Sequence, residues 1–481
     1  MDPYAIEEVA TISILSNIFE APVTLDKDLK VRPALATSWE NSDPTHWIVH
    51  LRHHVSFHNG NPFNADDVLF SFHRIKQWAR SGFRGEMAMI SGIEKLDAYT
   101  VRFTTQKPFP LFLQKLSRLR ILDKETLRGK SDAWIANHPV GTGPYRFIEW
   151  RRGDRIVLHA YENYWQGAAA FDTLIFKPLS DSSTRVAAML SGIVDLINRV
   201  PTMDTRRLRS RNDIRFFSRP GLRLIYLQMD QHRHTSPYIQ TPTRTNPFLD
   251  KRVRQALYFG IDETAIVHYI MGGYALEAGQ LSPKAVFGSD PTLKRPAYNP
   301  QKAKNLLKEA GYPHGFTVRL DTPNNRYVND AKIAEAVAVS LAKIGINVNV
   351  NAMPKSRFFA QISRLDTSFF LVGWEDIDGD AGSMMSACIH SYDAKRGYGR
   401  YNYGRFSNTH FDKLFESSQE EMQREKRLAL LQKSQILALI DSQCIIPLHF
   451  QVDLYAAKNS INFDPRLDGQ IRAFYITPKV P

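Results

Sequence analysis

The chain has almost no cysteine: Cys388 and Cys444 are the only two in 481 residues. Two thiols cannot build a disulfide framework or a four-ligand zinc site. The simplest reading is two separate buried side chains, because free Cys behaves as a small apolar residue. Long apolar runs are missing too, and no stretch approaches the roughly 18 residues that a membrane-spanning helix requires. A phosphate loop is absent, since Gly141-Thr142-Gly143 runs into Pro144-Tyr145 without a following Gly-Lys-Ser/Thr. His53, His54, His58 and His73 lack the His-Glu-x-x-His spacing of a hydrolytic zinc helix, and no Gly-x-Ser-x-Gly elbow occurs. His232 and His234 read as exposed loop histidines. A peptidase therefore has no nucleophile or metal set to draw on. The first residues also lack a basic region, an apolar core and a small-residue cleavage site.

What is present is ample core material. Hydrophobic residues make up 43% and aromatics 11% of the chain, enough for two or three domains. The net charge is +13 and the isoelectric point near 9.5, which raises nucleic acid as a partner. The densest basic stretch holds Arg199, Arg206, Arg207, Arg209, Arg211, Arg215, Arg219 and Arg223. It is broken by Asp204 and Asp213 and shows no groove-docking motif, so it reads as a solvated basic surface on a packed element.

Strand and helix signals alternate along the chain, which argues for α/β layers. Trp47, Val49 and Leu51 share one face of a strand, and Asn59-Gly60-Asn61-Pro62 marks a turn. Asn64 is placed to cap a helix over 65–78, with acids at its positive end. Helices are further expected over 6–15, 183–191, 250–259, 264–271, 301–310 and 331–344. Strands are expected over 146–150, 155–159, 195–197, 316–320, 346–352 and 367–372. The last is almost wholly apolar, as when both faces of a strand are buried.

The richest segment is Gly373-Trp374-Glu375-Asp376-Ile377-Asp378-Gly379-Asp380, which leaves the end of that buried strand. Ligands of open α/β sheets sit beyond the carboxyl ends of strands. One of these carboxylates accepts a ligand ammonium, or the run is a solvated acidic turn; the two readings stand level on the residues alone. It lacks the spacing of a calcium loop. Thr322–Asp330 is placed in the same way after the strand over 316–320, and Arg326 there has the planar fork that clamps a carboxylate. Asn329 or Asp330 caps the next helix. An acid and an arginine beyond neighbouring strands would match a zwitterion such as a peptide.

At these motifs the sequence resembles the extracytoplasmic solute-binding proteins of dipeptide, oligopeptide and nickel ABC transporters (family 5). The matching pieces include Pro33–Trp39, Leu51–Val68, Gly141–Tyr145, Asp250–Leu257, Tyr298–Tyr312 and Tyr401-Asn402-Tyr403 before Phe406-Ser407-Asn408. The resemblance implies a two-lobed periplasmic-binding-protein-like α/β fold (type II, cluster C) with an inserted domain. The first lobe would hold residues 1–24, 148–227 and 452–481, the insert 25–147, and the second lobe 228–451. It implies a monomer that captures a short peptide, needs no cofactor or nucleic acid, and meets the membrane only through ABC permease subunits. A periplasmic location follows, with a signal peptide and a first strand missing from this chain. Asp380, with Asp378 as the alternative, would receive the peptide ammonium, and Arg326 the carboxylate. Gly373, Trp374, Tyr327 and Asn402 would complete the site. Ala381-Gly382-Ser383 departs from the family's usual Pro-Asp-Asn continuation, which leaves room for an opine, a sugar or a metal chelate as ligand. A ligand-sensing regulator is a further reading, but the chain offers no helix-turn-helix.

Overall fold

The computed structural model describes residues 1–5 and 8–479. Two long antiparallel strands, Ile214–Met229 and Ile445–Lys458, organise it. Their outer halves pair Ile214–Pro220 with Val452–Lys458, and their inner halves pair Leu224–Gln228 with Ile445–Phe450. Between Pro220 and Leu224 the register slips. Such a bulge bends a strand and lets two segments of one ribbon serve two bodies.

On the inner side the strand Phe369–Glu375 pairs antiparallel with Ile214–Met229. It lies parallel to Thr317–Pro323, which is itself parallel to Asn347–Met353. The helix Asp330–Ala342 makes the crossover between the last two, giving the expected βαβ unit. Both faces of this sheet are covered. Ile225, Leu227, Phe369 and Leu371 pack into one core, and Leu224, Tyr226, Phe370 and Val372 into the other. The alternation explains why these strands read as continuous apolar runs rather than as one-sided patterns.

The other lobe joins a four-stranded antiparallel sheet, built from Ala36–Asp43, His46–Leu51, Ile90–Asp97 and Thr100–Thr105, to a three-stranded one over Tyr145–Phe176. One core runs without a break from Val49, Phe72 and Phe103 beneath the first to Tyr145 and Leu158 beneath the second. The helix Ala65–Gln77 starts on the expected Asn64 cap, which forms a reciprocal capping box with Asp67. The Gly141–Tyr145 turn lies against the chain at Asn17 and Ile18, with Gly143 and Tyr145 donating to their carbonyls. A Cβ at position 141 would lie 2.1 Å from the Ile18 oxygen, so only glycine permits that approach. His58 belongs to this joint as well: its Nε2 meets the Gly143 carbonyl at 2.9 Å.

The expected helices are found with shifts of a residue or two at their ends. The first is seen as Val9–Leu15, while positions 6 and 7 lie outside the described residues. The helix expected over 264–271 instead begins at Glu263 and widens into a π-turn at Ile266–Ile270. Cys388 and Cys444 are separate, buried and unbridged. Among the described residues no helix is long and apolar enough to cross a membrane.

Candidate functional site

A cleft of about 3600 Å³ separates the lobes, far larger than any other cavity described. Its floor includes the bulged stretch of the two long strands, with Arg223 on one and Asp453 on the other. Because Thr317–Pro323 and Phe369–Glu375 run parallel, the loops after them emerge at one end of the sheet. Arg326 and Tyr327 from the first loop, and Gly373, Trp374 and Asp378 from the second, line the same cleft.

The acids are placed differently from the sequence-based expectation. Asp380 is 1% exposed and does not line the cleft. Both of its oxygens meet the buried Arg427 guanidinium, at 2.6 and 2.9 Å, and one also accepts from the Gly382 amide. This carboxylate is committed to Arg427 and the Gly382 amide. Asp378 does line the cleft, but it accepts from Lys115 at 2.6 Å and from Arg118 at 3.0 Å, both on the 25–147 segment. Burial opposes ionisation of Asp378, yet these two cations outweigh it and hold its pKa well below the usual carboxylate range. The same exchange raises the pKa of Lys115: burial works against its charge, and Asp378 and Glu86 more than offset it.

The other expected residues divide in two. Tyr327 is packed rather than free, with its hydroxyl donating to the Gly373 carbonyl at 3.3 Å. Gly373 is what admits that ring, since a Cβ there would sit 2.9 Å from Tyr327 Cε1. Trp374 donates its indole N–H to Asp376 at 3.2 Å and lies 5.3 Å from the Tyr401 ring, so one aromatic surface faces the cleft. Asn402 is fully buried and off the cleft. Its amide donates to the carbonyls of His390 and Phe406, and its oxygen accepts from the Phe406 amide. It fastens a loop. Asp330 likewise gathers the amides of Arg326, Tyr327 and Ala331 on its carboxylate, fixing the arginine-bearing loop to its helix. Asn329 takes left-handed backbone geometry and makes no cap.

Three cleft residues had no distinguishing signal in the sequence. Arg199 and Arg223 were part of the stretch read as a solvated basic surface, but both line the cleft. Arg199 lies in left-handed geometry at φ 52° and donates to the Arg326 carbonyl at 3.3 Å, bringing two arginines 127 residues apart together. Its strained backbone is held by Arg185, which donates to the carbonyls of Asn198 and Arg199 at 3.1 and 2.9 Å. Neither Arg199 nor Arg326 has a carboxylate within ion-pair distance among the described residues. Burial, then Arg326 and Arg223, depress the Arg199 pKa, as expected for a cation facing other cations. Arg223 is paired with Glu375.

The third is Asp453. Its carboxylate has no hydrogen-bond or ion-pair partner among the described residues. Burial pushes its pKa up to about 7; Glu375 adds to the rise, and Arg223 and Arg199 oppose it.

Comparison with known proteins agrees with this architecture. A model of the bacterial extracellular solute-binding proteins, family 5 (middle region), matches residues 30–396. Heme-binding protein A of Haemophilus influenzae is 27% identical over 480 residues, covering 92% of this chain and 82% of that protein. The glutathione-binding protein GsiB of Pectobacterium atrosepticum is 27% identical over 444 residues, covering 90% and 83%. Among solved structures, the periplasmic binding protein DppA of Helicobacter pylori, in complex with the peptide STSA, superposes with a TM-score of 0.82. It is 25% identical, with 99% of this chain and 95% of that one covered.

Proposed function

The chain belongs to the bacterial extracellular solute-binding proteins of family 5, and on that premise we propose that it captures a short peptide between its lobes and presents it to an ABC importer. The family is one of solute-binding proteins rather than of enzymes. The observation that carries the peptide is the meeting of Arg199 and Arg326 in the cleft, neither with a carboxylate within ion-pair distance among the described residues. Two guanidiniums without a direct ion-pair partner form a receptor for a carboxylate, which both lobes then share. Relatives named for glutathione and solved with a bound peptide fit such a ligand.

Capture proceeds by closure about the bulged strands. A ligand that touches both lobes favours the closed state by its differential affinity for that state. Division into a first lobe of 1–24, 148–227 and 452–481, an insert of 25–147 and a second lobe of 228–451 suits this motion, since the crossings between first and second lobe, at 227/228 and 451/452, fall within the two long strands. The closed monomer then docks on permease subunits from the periplasmic side. In this reading Asp380 holds the loop beneath the site and Arg326 binds the ligand.

A second reading has one observation in its favour. Around the floor three guanidiniums, Arg199, Arg223 and Arg326, gather near the cleft carboxylates Glu375 and Asp453. An anionic non-peptide solute such as an opine would suit these guanidiniums. Thermal-shift screening against unblocked, N-acetylated and C-amidated di- and tripeptides separates the readings. Unblocked peptides raise the melting temperature, and C-amidation abolishes the effect. A rise with opines and none with any peptide overturns the peptide.

A further inference from the structure

We propose that Asp453, on the hinge strand, is the acceptor for the ligand's ammonium group; the assignment rests on the peptide reading above.

The case begins with the other acids of the cleft. Asp378 is held by Lys115 and Arg118, and Glu86 by Lys115. Glu375 is held by Arg223, Glu420 by Lys107, Glu416 by Arg396 and His390, and Asp195 by Lys458. Asp181 caps the helix Ser182–Leu190 through the Thr184 amide. Glu8 is exposed beside the helix Val9–Leu15. That leaves Asp453 as the interior cleft carboxylate without an internal partner among the described residues.

Its surroundings are shaped for it. Opposite lies the bulge of Ile214–Met229, and there Gly221 stands where a Cβ would come 2.8 Å from Asp453 Oδ2. Glycine thus leaves the carboxylate its room, and the slipped register releases the strand from pairing at that point. Arg199 and Arg223 are near enough to act on Asp453 electrostatically. An ammonium at Asp453 and a carboxylate at Arg199 and Arg326 therefore span one continuous floor.

The charged and titratable groups facing Asp453 are Glu375, Arg223 and Arg199, with Asp468 and Tyr455 behind them. Asp468 is neutralised by Arg466 at 2.7 Å. With a pKa of about 7, the carboxyl is half protonated near neutrality. An arriving ammonium stabilises the ionised form, so binding releases protons. Affinity should rise about fivefold from pH 6 to pH 7, a range in which a peptide ammonium stays charged.

The experiment uses the best-stabilising unblocked peptide of the screen and its N-acetyl form, titrated calorimetrically into the whole protein and Asp453→Asn. Unblocked peptide should lose about 10- to 100-fold in affinity on Asp453→Asn, as for a removed charge-assisted hydrogen bond. N-acetyl peptide should bind both proteins equally. Wild-type binding should release protons, read as heats that depend on the buffer's ionisation enthalpy. Should Asp453→Asn not fold, Gly221→Ala, which displaces Oδ2, should produce the same selective loss. A variant that keeps wild-type affinity for unblocked peptide overturns the role of Asp453 and leaves the peptide reading standing. A wild-type protein that binds no peptide overturns that reading, and Asp453's role with it.

Discussion

Replacing Asp380 by alanine should damage the fold of the second lobe rather than the chemistry of the cleft. The carboxylate makes two charge-assisted bonds to Arg427, at 2.6 and 2.9 Å, and Arg427 is only 4% exposed. At about 1.5–3 kcal/mol for each bond to a charged group, their loss amounts to about 3–6 kcal/mol, in line with the usual cost of stranding a buried charge. The Gly382 amide loses its acceptor too, which loosens the segment after the Phe369–Glu375 strand. Such a loss is a large share of the roughly 5–15 kcal/mol that holds a typical domain together. Urea denaturation of Asp380→Ala should show it, while calorimetry of the folded fraction should find ligand affinity within about threefold of wild type, under 1 kcal/mol. The double variant Asp380→Leu/Arg427→Met should recover much of the stability, because replacing both members of a buried pair by apolar groups is often neutral. The reasoning is refuted by an Asp380→Ala protein that denatures like wild type yet no longer binds ligand. That result would mean the carboxylate turns to the solute.

Two further outcomes follow from other buried charges. Asp378→Asn removes the anion facing Lys115 and Arg118 and should cost about 3 kcal/mol; small-angle scattering should show a larger radius of gyration as the 25–147 segment parts from the 376–380 loop. Glu20, whose pKa burial raises to about 7 despite donors from Trp165, Thr142 and Tyr164, favours the folded state while protonated. Its contribution is full below the unfolded pKa near 4.5 and is lost as pH rises through 7. At 1.36 kcal/mol per pKa unit it reaches about 3 kcal/mol. Glu20→Gln should therefore flatten the decline in melting temperature between pH 5 and pH 8, and a decline of unchanged slope would contradict the assignment.

Much of the framework was legible in the residues. The apolar run Phe369-Phe370-Leu371-Val372 announced a strand buried on both sides, and two separate cores cover it. Asn64 with Asp67 announced a helix start, and the capping box forms there. These features are local: a cap, a period or a turn is settled by residues within a few positions of one another. The π-turn at Ile266–Ile270 was not legible, because its widening depends on packing around it rather than on a sequence period.

The site behaved otherwise. Sequence placed Arg326 and the Gly373–Asp380 segment beyond neighbouring strands, and the parallel register brings both to one cleft. It could not say which carboxylates were already taken. Asp380 meets a partner 47 residues away in Arg427, and Asp378 one 263 residues away in Lys115. Asp453, on the strand Ile445–Lys458, carries no local sign that its carboxylate would be left without a partner. Charge availability is a property of pairs, and pairs distant in the chain are made only by the tertiary fold. The sequence by itself determined the lobes, the family and the loops that reach the cleft; the fold alone decided which charges remain for a ligand.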